Sequence, residues 1–285
     1  MKKTLSVILA IVMALGCVLM LASCGGTTEE TTAAADDTTA AEETTATAEN
    51  ALVVGYTIYE PMNYLDENNE LVGFDTELAK KVFENLGYTV IFQEIEWSAK
   101  YTDLDSGTID CIWNGFTANT ADDDGVLRAE KVDFSYNYME NQQVVVVKAD
   151  SGIAAAEDLN GKFGVAESGS AGETYAADFE GATIKGFTKQ TDCLTEVMSA
   201  TADFAVVDAQ LAKAYVGNGD YADLAIVEGL SSDVEFYAIG FKKGSDLTAK
   251  VNEQLEALAA DGTITALAEK YGVANTAIID FADQK

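Results

Sequence analysis

Two rhythms of apolar and polar residues alternate along the chain from about residue 51. Short solid apolar runs are followed by stretches in which apolar residues return every three or four positions. Residues 52–56 are a continuous apolar run broken only by Gly55, which predicts a buried strand. The apolar run 71–74 leads to Asp75, read as a helix N-cap. Leu78, Ala79, Val82, Phe83 and Leu86 then keep helical spacing, and Gly87 ends the helix. The same reasoning predicts strands over 89–92, 109–113, 144–147, 163–166, 204–207 and 235–241. It predicts helices over 100–106, from 171, around 194–198, over 209–216, and one or two between 247 and 271. Alternation of this kind specifies an α/β protein with mostly parallel sheets flanked by helices.

One segment repeats. Ser106-Gly107-Thr108-Ile109-Asp110-Cys111-Ile112-Trp113 is echoed by Ser199-Ala200-Thr201-Ala202-Asp203-Phe204-Ala205-Val206. Both copies follow a short amphipathic helix and run into a strand that ends in polar residues, Asn114 in one and Asp208 in the other. Two lobes built to one plan would explain this. Ligands of open α/β sheets bind beyond the carboxyl ends of the strands, so two facing lobes would bring both strand ends to a single cleft.

The N-terminal region departs from both rhythms. Lys2 and Lys3 precede an uncharged apolar stretch over 5–22, which ends in Leu21-Ala22-Ser23-Cys24. This resembles the lipobox of bacterial lipoproteins: residues 1–23 are then a signal peptide, and Cys24 is the lipidated first residue of an extracytoplasmic chain. Residues 25–50 are almost entirely Thr, Ala, Glu and Asp. Such a segment buries too little to offset its ordering entropy, and is expected to be a disordered tether. Of the remaining cysteines, Cys111 and Cys193 stand far apart in apolar surroundings, which favours two buried free thiols over a disulfide.

Charge and composition narrow the function. Lys and Arg number 17 against 48 Asp and Glu, a formal charge of −31. A surface that acidic repels nucleic acid. The chain has no histidine, so the commonest general base and neutral metal ligand are missing. No metal or cofactor is expected. The acidic segment Asp122-Asp123-Asp124-Gly125 does not fit a calcium loop, because Lys131 falls where a bidentate Glu should stand.

Several segments together carry a family resemblance. They are Asp66-Glu67-Asn68 through Leu71-Val72-Gly73-Phe74-Asp75 with Glu77-Leu78-Ala79, residues 106–117, and Val132-Asp133-Phe134-Ser135. Further matches are Ser151-Gly152-Ile153, Glu157-Asp158-Leu159-Asn160-Gly161-Lys162, and Ala260-Asp261-Gly262-Thr263. In this order, over essentially all of 51–275, the chain resembles the polar amino-acid-binding proteins of bacterial ABC importers. The resemblance implies a two-lobed, type II periplasmic-binding-protein-like fold. One lobe comprises 51–142 plus 239–285 and the other 143–238, with a two-strand hinge near 141–145 and 237–241 that closes by rotation.

It also implies a site. An amino acid requires a clamp for its carboxylate, an acceptor for its ammonium and a pocket for its side chain, since ions leaving water must be paired. Arg128, the only Arg in the chain, matches the carboxylate clamp. The acids at 122–124, in a stretch longer than the family pattern, could instead pair with it. Ser168, Gly169 and Ser170 match an anion-binding loop at a helix start, although Ser170 with Glu173 is equally a capping box. Asn114, Gly115 and Thr117 match the polar loop of the first lobe. Asp208 matches the ammonium acceptor, its alternative being an N-cap for the helix from Ala209. Tyr59 and Trp97 match the rings that sandwich the side chain, with core packing as their alternative. Thr57 stands where many relatives carry an Asp that receives a cationic side chain, though Glu60 could compensate. The expectation is therefore a polar neutral or small amino acid, cystine included.

The implied function is a monomeric, lipid-anchored receptor on the outer face of the cell membrane, passing a free amino acid to an ABC permease. A sensory binding domain is disfavoured because no transmembrane or signalling segment follows Lys285. A dehydratase acting on cyclic acids, as some relatives of this fold are, would need an added acid–base pair that the sequence does not show. The chain is thus expected not to be an enzyme.

Overall fold

The computed structural model describes residues 50–285. The expectations for the signal peptide, Cys24 and the tether up to residue 49 lie outside the described residues. Among the described residues no helix is long and apolar enough to cross a membrane.

Two five-stranded sheets organise the rest. The first runs Thr89–Glu94, Ala51–Tyr56, Cys111–Ile112, Gly240–Phe241, Asp133–Phe134. The second repeats that order with Thr183–Phe187, Phe163–Glu167, Phe204–Asp208, Gln143–Lys148, Leu224–Ser231. In both, the first three strands are parallel and the fourth is antiparallel to its two neighbours. The sheets are therefore less uniformly parallel than the alternation of elements predicts. The fourth strand is the first that the chain enters after crossing from the other lobe. No strand–helix–strand crossover forces it parallel.

Two strands carry the chain between lobes. Met139–Asn141 pairs antiparallel with Glu235–Tyr237, Asn141 opposite Glu235. The single strand expected over 235–241 is thus two, Glu235–Tyr237 in the crossing ribbon and Gly240–Phe241 in the first sheet.

The repeated segment proves to be a repeated structure. Each copy leads into the central strand of its sheet. The hydroxyls of Ser106 and Thr108 lie 2.9 Å apart, as do those of Ser199 and Thr201. Asp110 accepts from the Val53 N–H at 2.7 Å, and Asp203 accepts from the Phe163 N–H at 2.8 Å. Each Asp thereby ties its central strand to the neighbouring one, and Asn114 and Asp208 emerge at equivalent carboxyl ends.

Helix Phe74–Asn85 packs its apolar stripe, including Leu78, Val82 and Phe83, with Val251 and Leu255 of helix Leu247–Ala260 and Ile264 of helix Thr263–Lys270. Its N-cap is Gly73 rather than Asp75. Asp75 lies inside the first turn, fully buried, with its carboxylate committed elsewhere. Cys111 and Cys193 are free and buried, as expected.

Gly164 lies in the strand Phe163–Glu167, with the Phe204 ring of the adjacent strand directly over it. A Cβ at 164 would come within 2.2 Å of Phe204 Cζ. Gly164→Ala is predicted to destabilise the protein by about 1–3 kcal/mol, the usual cost of overpacking a core. Chemical denaturation of the two proteins checks this.

Candidate functional site

The carboxyl ends of both central strands meet between the lobes. There Trp97, Asn114, Gly115, Thr117 and Arg128 of the first lobe face Glu167, Ser170, Ala171, Gln190 and Asp208 of the second around one small cavity. The cavity holds about 10 Å³, room for a single water. The lobes are therefore closed on one another, and anything larger must enter by parting them.

Asp208 ends the central strand of the second lobe. It caps nothing with its side chain, although it stands at the start of helix Ala209–Tyr215. Its Oδ1 instead accepts from Asn141 Nδ2 at 2.6 Å and Gln143 Nε2 at 2.7 Å, and Gln190 Nε2 donates to Oδ2. Burial raises its pKa, while the amide donors oppose that rise. The result is a buried acid facing the cavity and held by neutral donors, with no ion pair to it among the described residues.

Arg128 opens the short helix Arg128–Lys131 and is 1 % exposed. Asp122 of the acidic insert accepts from its Nε at 2.8 Å. The insert does not withdraw the side chain from the cleft. The remaining guanidinium nitrogens reach the Thr117 carbonyl at 3.2 Å and, across the cleft, the Gly169 carbonyl at 3.3 Å. Lys131 also binds Asp122, at 2.8 Å. Burial pushes the Asp122 carboxyl up, but Arg128 and Lys131 bring it below its ordinary value.

The first-lobe loop is set from beneath. Gly115 has φ 56°, and a Cβ there would strike the Tyr59 ring at 2.7 Å and the Tyr237 ring at 3.0 Å. Only glycine adopts this backbone without cost at so close an approach. Asp75 accepts from the Gly115 N–H and the Tyr138 hydroxyl, both at 2.8 Å. Burial lifts its pKa to about 7. Asn114 is fully engaged within its own lobe, accepting from the Thr57 hydroxyl at 2.6 Å and donating to Thr57 O and Asn63 Oδ1. Its amide positions the loop, and Thr57 is consumed in the same network. Trp97 meets Phe116 edge-on at 5.3 Å and carries the Lys100 ammonium 5.0 Å from its ring centre.

Three residues expected in the site sit differently. Tyr59 is 2 % exposed and lies behind the cavity lining, hydroxyl to hydroxyl with Tyr237 at 2.6 Å. Ser168 turns outward to a surface groove with Glu96 and Ser98, because side chains alternate at the end of the strand and Glu167 takes the inward place. The N–H of Gly169 is occupied by the Glu173 carboxylate at 2.7 Å, while Ser170 Oγ caps Glu173 at 3.1 Å. Gly169 thus offers its carbonyl, not its N–H, to the cleft. Lys100 and Arg128 both donate to it.

Glu167, Gln190 and Lys100 escaped the sequence reading. Glu167 is 4 % exposed; burial, then Asp208, push its pKa to about 8. Burial and the neighbouring Arg128 lower Lys100 to about 8. The one legible signal was Glu167 itself, a carboxylate closing a buried apolar strand.

The fold and cleft define a type II periplasmic binding protein, a solute-binding class. Residues 52–274 match the bacterial extracellular solute-binding proteins, family 3, and the chain belongs to that family. It is 28 % identical over 229 residues to an arginine-binding extracellular protein of Bacillus subtilis, covering 79 % of this chain and 87 % of that one. An L-cystine-binding protein of the same organism is 27 % identical, over 75 % and 77 % of the two chains. Among solved structures, an ancestral arginine-binding protein bound to arginine superposes with a TM-score of 0.70 at 34 % identity, covering 78 % of this chain and 98 % of the other.

The buried acids set a pH dependence. A carboxyl whose pKa is higher folded than unfolded stabilises the fold fully below the unfolded value. That contribution is lost as pH rises through the folded value. With Glu167 near 8 and Asp75 near 7, ligand-free protein is predicted to lose stability between about pH 5 and 8.5. Glu167→Gln should flatten the fall by at least about 1.4 kcal/mol, the equivalent of one pKa unit. Thermal unfolding across that pH range is the measurement.

Proposed function

We propose that the protein is an extracytoplasmic receptor that closes its two lobes on a free amino acid and delivers it to an ABC importer. One observation carries this reading. A guanidinium from the first lobe and a carboxylate from the second, both buried, line one cavity. Arg128 offers nitrogens suited to a carboxylate. Asp208, held by three amides but by no cation, suits an ammonium. A zwitterion is neutralised at both ends only when the lobes meet. Trp97 supplies an apolar wall, and Glu167 with Gln190 gives the side-chain end a polar character that suits a hydrogen-bonding ligand.

The lobes are 51–142 with 239–285, and 143–238, turning on the crossing ribbon. The site comprises Trp97, Gly115, Thr117, Arg128, Ser170 and Asp208, supported by Tyr59, Asn114 and Gly169. Lipidation of Cys24 would hold the monomer at the membrane face. The relatives named above support the substrate class, since their names record arginine and cystine as ligands. They are binding proteins, which supports a receptor rather than an enzyme.

Thermal unfolding against the twenty amino acids and cystine should reveal a stabilising ligand, with a shift of about 2.7 kcal/mol at a hundredfold excess over Kd. Arg128→Ala and Asp208→Ala should each cost at least about 2 kcal/mol of binding, roughly thirtyfold in Kd, by stranding a buried charge. Trp97→Ala should weaken binding less. Unchanged calorimetric affinity in both charge variants would refute the site.

A further inference from the structure

Recognition of a zwitterion needs one acid at the ammonium end, yet a second stands beside Asp208. Glu235 begins the returning crossing strand and is 3 % exposed. Asn141 Nδ2 donates to Glu235 Oε1 at 2.6 Å and to Asp208 Oδ1 at 2.6 Å. Gln143 Nε2 donates to the same two oxygens at 2.6 and 2.7 Å. Each amide divides its two N–H groups between the acids. Two oxygens that each lie 2.6 Å from one nitrogen are at most 5.2 Å apart (2.6 + 2.6).

Ionised carboxylates at that separation in a buried site repel strongly, and one of the two retains a proton. A third buried acid faces the pair: Glu167 lines the same cavity as Asp208, which helps to raise its carboxyl. The hydroxyls of Tyr59 and Tyr237 also face it, and the charge of Arg128 opposes the rise of Glu235. The Nε of Arg128 is already bound to Asp122. Burial and Asp208 together raise Glu235 to about 7. Glu235 also lines an open groove of about 580 Å³ with Asn119, Tyr175, Asp178 and Asp233, so its proton has a direct route to water.

We propose that Glu235 is a positioning residue of the ammonium subsite: in the empty cleft the Asp208–Glu235 pair holds one proton, and the incoming ammonium replaces it. Rebalanced, the ligand N–H groups donate to the Asp208 carboxylate, Glu235 gives up its proton through the groove to solvent, and the shared amides remain bonded to both acids. No other bond is made or broken. This rests on the amino-acid reading of the cleft.

Two measurements separate the parts. Without ligand, wild type and Glu235→Gln are unfolded across pH 5–8. The pair's proton predicts a smaller fall in stability for Glu235→Gln, and parallel curves would overturn it. With ligand, the twenty L-amino acids and L-cystine are screened by thermal shift, and the strongest stabiliser is titrated calorimetrically in buffers of different ionisation enthalpy. Wild type should release about one proton per ligand at pH 6 and lose affinity by about tenfold per pH unit below 7. Glu235→Gln should release about one proton fewer than wild type, and its affinity should fall less steeply with falling pH. Equal release by both proteins, or none by wild type, would overturn the proposal. If no compound in the panel binds, the receptor reading fails, and the ligand-free curves still decide whether the pair holds a proton.

Discussion

The structure is organised around a carboxylate that has left water with no cation paired to it among the described residues. Asp208 sits at the end of a fully buried strand, where an isolated ion would cost several kcal/mol. Three amides supply its immediate hydrogen bonds, one each from the crossing ribbon, the strand Gln143–Lys148 and the helix Gln190–Met198. Neutral donors stabilise the charge without cancelling it. The compensation is therefore incomplete by construction, and under the proposed function a ligand ammonium would supply the missing part.

The same logic explains the other side of the cleft. Arg128 is balanced by Asp122, which Lys131 balances in turn. One terminal nitrogen, Nη2, is directed across the gap to a backbone carbonyl of the second lobe, while Nη1 donates to Thr117 O of its own lobe. Lys100 reaches that carbonyl too, at 2.9 Å. A neutral carbonyl is a weaker partner for a cation than a carboxylate. In the closed form the first lobe thus holds its cations against a neutral partner, which under the proposed function a ligand carboxylate would displace. The exposed pair Lys189–Glu94 adds little to closure, as surface ion pairs generally do.

Much of this was legible in the sequence because burial and period carry it. The apolar runs located the central strands, and the repeated Ser–x–Thr–x–Asp segment located their equivalence. Strands Thr183–Phe187 and Leu224–Ser231 were missed because they lie at a sheet edge, where polar residues such as Lys185 and Glu228 interrupt the apolar signal. Asp75 was misread because an acid at a helix start looks like a cap, whereas its carboxylate supports Gly115 from a distance of forty residues. Arg128 and Asp208 were singled out by resemblance, and the structure brings both to one cavity. The amides that hold Asp208, from Asn141, Gln143 and Gln190, have no sequence signature, since three separate elements bring them together. Ser168 and Glu167 exchanged roles through a single step in strand alternation.

Under the proposed function each lobe recognises one end of a zwitterion. The direct measurement is the calorimetric affinity of the wild-type protein for its best amino acid, beside that compound's α-carboxamide and its N-acetyl derivative. The first derivative removes the anion that Arg128 would hold, and the second removes the cation that Asp208 would hold. Each should bind weaker by about 2 kcal/mol or more. Either derivative binding as tightly as the parent would contradict the account.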